Sequence, residues 1–340
     1  MKLAGEIQAE RFTSLDVGIV HEANNNVLVI PADPDADRQR HLEKMGLAKE
    51  LQTGVWHIDN DLQTKLRSLG EQNDIRVWMH QVLREHGPDR PAGDFAIFSG
   101  GKAGAPVIGR VVEVGIADEM TDRKFIVVDA ADGPPHYAEF GKVAALDPPD
   151  PGMIVALTSA GGKSSRRTAR VETLSRWAID RLPEAVALTW LDKAMAENKV
   201  PAMAGRKFGA ELFAAFQARA DWLITQGHAY RDPAGRVTPN ANLQGKLNER
   251  GWATVGRRLE AELDQVYQPM TEGIRITGRR TRDVVLPTGR LAVIQDSTTF
   301  TLIPKHADLA QFRGKEIDVS VRNRAITLAI SRGRDRGFSR

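Results

Sequence analysis

One pattern occurs twice in this chain at a single fixed offset, and few folds can accommodate it. The first copy reads Arg38, Leu42, Gly46, Ala48, Gly54, Leu62-Gln63, Lys65-Leu66 and Gly70, and the second reads Arg219, Leu223, Gly227, Ala229, Gly235, Leu243-Gln244, Lys246-Leu247 and Gly251. The separation is constant (227 − 46 = 251 − 70 = 181), so the copies superpose without a gap. Each copy predicts an amphipathic helix, a glycine stop, two short strands around a glycine turn, and a second helix. That order is expected of a winged helix-turn-helix, a module that usually binds nucleic acid and sometimes protein.

The repeat sets the expected organisation. A first winged-helix module is predicted over 1–88, opening with a helix from Glu6 to Ala23 and a short strand from Val27 to Ile30. The run His86-Gly87-Pro88-Asp89-Arg90-Pro91 breaks helix and marks a boundary. A small β domain follows over 92–160, with strands at Ile108–Val114, Phe125–Val128 and Met153–Leu157 and a hairpin turn at Asp132-Gly133. Residues 161–205 read as a basic connector and helices, the helical part running from Val171 to Glu197. The second winged-helix module spans 206–270. A basic β domain and tail occupy 271–340, with strands near Val284–Leu286, Leu291–Ile294, Phe300–Ile303, Ile317–Val321 and Ala325–Ile330. Gly109-Arg110, Arg123 and Asp129 are echoed by Gly278-Arg279, Arg290 and Asp296, at offsets of 169, 167 and 167. The predicted class is therefore α+β, two winged-helix modules alternating with two small β-barrel-like domains.

Charge is unevenly distributed. Gly273 to Arg340 holds 14 Lys and Arg against 6 Asp and Glu, a local +8, which leaves −5 elsewhere in a chain of net charge +3. A basic end suits phosphate or an acidic protein as partner. No apolar run approaches the roughly 18 to 20 residues that span a bilayer. The segment Met1 to Glu6 lacks the apolar core of a signal peptide. The absence of cysteine excludes disulfides and thiolate metal sites and suits a reducing cytoplasm.

Several phrases carry a family resemblance. They are Glu10-Arg11-Phe12-Thr13-Ser14-Leu15-Asp16, Leu42-Glu43-Lys44-Met45-Gly46-Leu47-Ala48, Gly109-Arg110-Val111, Ala117-Asp118-Glu119 and Asp122-Arg123. Asp132-Gly133, His136-Tyr137, Thr189-Trp190-Leu191-Asp192, Phe208-Gly209, Trp222-Leu223-Ile224 and Phe300-Thr301-Leu302-Ile303-Pro304 continue the series in order. Together they resemble the C-terminal region of relaxase/mobilisation nucleases, plasmid conjugation proteins related to the agrobacterial border nuclease. The resemblance implies a tyrosine nucleophile and a histidine-held metal in an N-terminal nuclease domain. This chain departs from that pattern. Its first tyrosine is Tyr137, and its histidines (His21, His41, His57, His80, His86, His136, His228, His306) are scattered. No catalytic residue, metal or cofactor is therefore expected. The resemblance implies a bacterial cytoplasmic protein that passes to a recipient cell, with plasmid transfer-origin DNA and a type IV secretion coupling protein as partners.

The candidate nucleic-acid contacts are Arg38, Arg40, Lys44, Arg166, Arg167, Arg170, Arg231, Arg236, Arg279, Arg280, Arg282, Arg313, Lys315 and Arg322. Gln217, Arg219 and Gln226 are spread along the helix of the second module, too sparse to predict base-specific reading. Arg324, Arg332, Arg334, Arg336 and Arg340 resemble the arginine-rich C-terminal signal of type IV secretion substrates. Ala160-Gly161-Gly162-Lys163-Ser164-Ser165 lacks the leading glycine of a phosphate loop, since Leu157 stands there, and reads as a linker. Two other functions stay open: a stand-alone winged-helix DNA-binding regulator, and a metal-dependent phosphodiesterase using the loop carboxylates Asp118, Glu119 and Asp122.

Overall fold

The computed structural model describes residues 27–29, 48–52, 55–58, 95–99, 105–118, 123–140, 148–160, 168–305, 314–322 and 325–330, with residues 43, 75, 79, 309 and 312 singly. The chain divides into two compact units, Met1–Gly93 and Asp94–Arg340.

In the first unit, β1 (Val27–Val29), β2 (Ala48–Gln52) and β3 (Val55–Ile58) form a three-stranded antiparallel sheet in the order β1-β3-β2. Of the helices expected around β2 and β3, Glu43, Ile75 and Met79 are described, each in helical conformation, and the remainder lies outside the described residues.

The second unit begins with a six-stranded sheet. Its strands are β4 (Ala96–Ile97), β5 (Val107–Asp118), β6 (Arg123–Ala130), β7 (His136–Phe140), β8 (Ile154–Ser159) and β9 (Ala169–Ser175), ordered β4-β7-β6-β5-β8-β9. A single 3-10 turn at Ile179–Arg181 leads to α1 (Trp190–Ala196). Next come α2 (Lys207–Thr225), the hairpin β10 (Ala229–Arg231) and β11 (Val237–Pro239), and α3 (Leu243–Leu263). A second six-stranded sheet closes the chain: β12 (Val266–Tyr267), β13 (Arg275–Leu286), β14 (Gly289–Gln295), β15 (Thr299–Pro304), β16 (Glu316–Arg322) and β17 (Ala325–Ile330).

The helix–hairpin–helix segment has the order that the repeat predicts. On α2, Phe208, Leu212, Ala215-Phe216, Ala220 and Leu223 recur at helical spacing and are buried. The helix stops at Gly227, whose φ of 69° lets the His228 amide reach back 2.7 Å to the Leu223 carbonyl. Gly235, at φ 78°, completes the β10–β11 turn, and the Asp232 carboxylate accepts the Arg236 amide there at 2.8 Å. Leu188, Leu223, Ala229, Leu243 and Leu247 form a core of their own between the two helices and the hairpin.

The duplication holds at residue level. In the first unit's hairpin, Ala48 faces Ile58, Lys49 faces His57 and Glu50 faces Trp56. Adding 181 to each number gives Ala229 opposite Pro239, Tyr230 opposite Thr238 and Arg231 opposite Val237, the pairing observed in β10–β11. Ala48 and Ala229 are both buried, and the next two residues of each strand are exposed.

The two large sheets are likewise copies. The second is ordered β12-β15-β14-β13-β16-β17, which matches the first strand for strand, down to a parallel two-residue edge strand in each. β5 carries a bulge at Val112 and β13 one at Thr281, 169 residues on. Gly109 and Gly278 occupy equivalent places. A Cβ on Gly109 would stand 2.4 Å from the Asp129 carbonyl oxygen, and one on Gly278 2.6 Å from that of Gln295. Asp129 therefore corresponds to Gln295, not to Asp296, so the echo read at offset 167 was one residue out on this strand.

Two further expectations need correction. Among the described residues neither sheet closes into a barrel; in the first, one parallel bridge between Glu139 and Thr168 brings β7 toward the start of β9. The helical reading also began too early, because Ala169–Ser175 is strand. Val171, Leu174 and Trp177 mimic helical spacing, but pairing with β8 imposes alternation, with Arg170 and Glu172 exposed between more buried neighbours.

Candidate nucleic-acid interface

Arg219 is the arginine shared by both repeats, and it is not on the outside of its helix. Its side chain is fully buried and pairs with the equally buried Asp192, Nε to Oδ1 at 2.8 Å. Nη2 donates to Asp192 Oδ2 at 2.9 Å and to the Ala187 carbonyl at 3.2 Å, while Nη1 donates to the carbonyls of Pro183 and Ala185. All five guanidinium donors are therefore used. Asp192 also caps α1, accepting the Thr189 amide at 2.7 Å and its hydroxyl at 2.8 Å in a reciprocal capping box. The guanidinium lies 4.3 Å from the Trp222 ring centroid. Arg219 ties α1, α2 and the chain before them into one body, which removes it from any outward row on the helix. The Thr-x-Leu-Asp phrase that makes this lock also stands at Thr13 to Asp16. That recurrence was the missed signal. Arg38, the counterpart of Arg219, lies outside the described residues.

The exposed side of α2 offers Glu211, Phe213, Ala214, Gln217, Ala218 and Asp221, a face without a cation. Arg231 and Arg236, on the hairpin, are both exposed and both ion-paired, with Asp221 at 2.7 Å and Asp232 at 3.0 Å. His228, at the hairpin's base, is held below the ordinary histidine value, first by burial and then by the Arg250 and Lys246 charges.

Strand β13 collects the densest positive charge. Arg275, Thr277 and Arg279 share its outer face by alternation, Ile276 and Gly278 being buried between them. The bulge at Thr281 restores the phase, so Arg282 faces the same way, opposite Val293. Arg275 bonds Asp318 at 2.5 Å, and Arg282 bonds Glu262 of α3 at 2.8 Å. Arg280 points inward to Asp283 at 2.8 Å, where Lys305 joins it at 3.0 Å. Burial pulls the Asp283 carboxyl up, but the bonds from Arg280 and Lys305 outweigh it and leave it below the usual value. Asp318 is lowered too, first by the Thr277 hydroxyl and then by Arg275.

Among the described residues, Arg279 and Lys315 are exposed and have no carboxylate bridge. Arg279 stands on β13 opposite Glu316 of β16, and Lys315 immediately precedes that strand. Arg170 is exposed on β9, in the other sheet. Arg322 ends β16. Arg40, Lys44, Arg166, Arg167, Arg313, Arg324, Arg332, Arg334, Arg336 and Arg340 lie outside the described residues. Of the loop carboxylates, Asp118 ends β5, and Glu119 and Asp122 lie outside the description. Among the described residues, no three His, Asp or Glu side chains stand together as a metal-ligand group.

No helix among the described residues is long and apolar enough to cross a membrane. No curated protein matches the chain. Two overlapping stretches, residues 35–168 and 161–337, match the family described as protein of unknown function (DUF3363). They take in both hairpins and both six-stranded sheets, and on that extent of match the chain belongs to the DUF3363 family.

Proposed function

We propose that this chain is a non-catalytic nucleic-acid-binding region that works with a relaxase in plasmid mobilisation, its two glycine-punctuated modules being of the winged-helix type. The observation that carries this reading is the outward row Arg275, Arg279 and Arg282 on β13, of which Arg279 is exposed and has no carboxylate bridge. Cations on a rigid strand follow a phosphate backbone without reading bases. The outer face of α2 supports the same point, since it carries no cation and a single amide, Gln217, where major-groove reading calls for several Arg, Lys, Asn or Gln. The resemblance to the C-terminal region of mobilisation nucleases supplies the setting. In that setting the partners are transfer-origin DNA and a secretion coupling protein that reads the arginines from Arg324 to Arg340.

Fluorescence anisotropy with single- and double-stranded oligonucleotides across a salt series tests the binding. Affinity should fall steeply between 50 and 200 mM salt, and replacing Arg279 and Lys315 with Glu should flatten the log–log slope by about 2. No affinity for either form of DNA at low salt removes the reading. Removal of residues 331–340 should abolish passage in a translocation reporter while leaving β13-dependent binding largely in place.

A further inference from the structure

Among the described residues, Arg250 is a guanidinium without a counter-charge. It is half-buried on α3, where Nη1 and Nη2 donate to Gln226 Oε1 at 3.3 and 3.2 Å and Nη1 approaches His228 Nε2 at 3.4 Å. The Trp222 ring centroid lies 5.8 Å from it. Arginine only donates, so Nε2 accepts, and His228 is neutral with its proton on Nδ1.

This trio is particular to the second module. At the offset of 181, the first copy has Met45, Leu47 and Leu69 in place of Gln226, His228 and Arg250. Packing is served by the apolar set, whereas an amide, an imidazole and an unbridged guanidinium must be desolvated there. The row around Arg250 gives a reason for the exchange. Lys246, Arg250, Ala253 and Arg257 follow at steps of four, three and four, so they share one face of α3, turned from the buried Leu247, Gly251, Val255 and Leu259. Lys246 and Arg257 are exposed and, among the described residues, have no carboxylate bridge. They recur as Lys65 and Arg76 in the first copy. Glu249 is the only carboxylate between residues 246 and 257, and it bridges none of the three cations. The row covers roughly 16 Å of helix, a length over which one DNA strand carries about five phosphates.

We propose that this face of α3 is a second phosphate-binding surface, on which a nucleic-acid backbone runs along Lys246, Arg250 and Arg257 and a protonated His228 completes the grip. This surface presupposes the nucleic-acid reading above and lies apart from the β13 row. Protonation turns Nε2 into a donor, ends its contact with Arg250 and frees the guanidinium to turn toward a phosphate. Burial first, then Arg250 and Lys246 of α3 and Arg219 of α2, disfavour the charged imidazole, while Asp192 of α1 favours it. A bound phosphodiester brings negative charge beside these groups, so binding and proton uptake support one another. A protein partner would draw on apolar anchors, and Ala253 is the one apolar side chain in the row.

Anisotropy of a fluorescent oligonucleotide with the full chain separates the two surfaces. Lys246→Gln/Arg257→Gln, at exposed positions, should flatten the log–log salt slope by about 2, in addition to the loss from Arg279→Glu/Lys315→Glu. At fixed salt, affinity should rise about threefold from pH 7.5 to pH 5.5. Gln226→Met/His228→Leu/Arg250→Leu, which installs the first copy's residues, should remove that rise. Tight binding with an unchanged slope in Lys246→Gln/Arg257→Gln overturns the proposal and leaves β13 as the contact. No binding by the native chain at low salt overturns both. A poly-Glu chain of equal charge that binds more tightly than the oligonucleotide, through the same residues, assigns the face to an acidic protein and overturns the proposal too.

Discussion

The two six-stranded sheets share strand order, bulge and close-packed glycine, yet the same half of the same face is sealed in one and open in the other. On the first sheet, Ile108, Ala131 and Ile154 pack under the helical segment with Phe208, Leu212 and Phe216 of α2. Arg110, between them, reaches Glu211 of that helix at 2.7 Å and Asp129 at 3.2 Å, and lies 5.2 Å from the Phe208 ring centroid. By register, the second sheet has Thr277 for Ile108, Arg279 for Arg110, Gln295 for Asp129 and Glu316 for Ile154. No described helix follows to cover them. The lesson is that in a duplicated fold the backbone is copied but the burial of a face depends on which side chains pack against it.

The largest effect is expected where the sealing helix is anchored. Arg219→Met strands the Asp192 carboxylate in a dry interior and should cost about 3 to 5 kcal/mol in urea unfolding. The double variant Arg219→Met/Asp192→Leu should recover most of that loss. If the single variant costs under 1 kcal/mol, the lock does not hold α2 in place.

Installing one residue at both equivalent positions sharpens the contrast directly. Ile154→Gln buries an amide without a partner and should cost about 3 kcal/mol, whereas Glu316→Gln should stay within about 0.5 kcal/mol. Equal costs at the two positions would break the comparison between sealed and open faces. The glycines test the opposite point, the likeness of the two backbones. Gly109→Ala and Gly278→Ala each push a Cβ into a neighbouring strand's carbonyl, and both should destabilise by about 1 to 3 kcal/mol. A large difference between them would show that the sheets are less alike than their pairing.

The smallest effect concerns acid. Asp283 and Asp318 sit in the second sheet with folded-state values below the ordinary carboxylate value near 3.9. Their contribution is therefore present above that value and lost as pH falls through their folded values. Asp283→Asn/Asp318→Asn should flatten the fall in urea midpoint at acid pH while lowering stability at pH 7. His228, held down by burial, gives a slope of the same sign in a higher window. Stability should decline as pH drops below about 6.5, and His228→Gln should remove that decline.

Much of this arrangement was legible in the residues themselves. Glycine positions carry backbone geometry, so Gly227 and Gly235 located the helix stop and the turn, and the offset of 181 carried through to hairpin register. Four of the C-terminal strands, β14 to β17, announced themselves by their apolar residues between turn residues, whereas of β13 only Val284–Leu286 was read, because the arginine-rich stretch before it carries little apolar signal. β9 did not, since a strand near a sheet's edge needs apolar residues on one side only, and Val171 and Leu174 were compatible with either period. Charge was the least legible property. Composition counts arginines but cannot show that Arg219 is wholly internal or that Arg231, Arg236 and Arg282 are engaged by acids from neighbouring elements. Those pairings arise from packing, and among the described residues only Arg279 and Lys315 combine a predicted contact with an exposed, unbridged position on or beside the second sheet.

The antiparallel pair β16–β17 has one further consequence, for mechanical load. Ile330, the last residue of β17, pairs with Ile317, and Ala325, beside the hairpin turn, pairs with Arg322. A pull on the chain beyond Ile330 therefore stresses the rungs of this ladder singly, starting from the Ile330 end, and the strand unzips where a sheared one would resist.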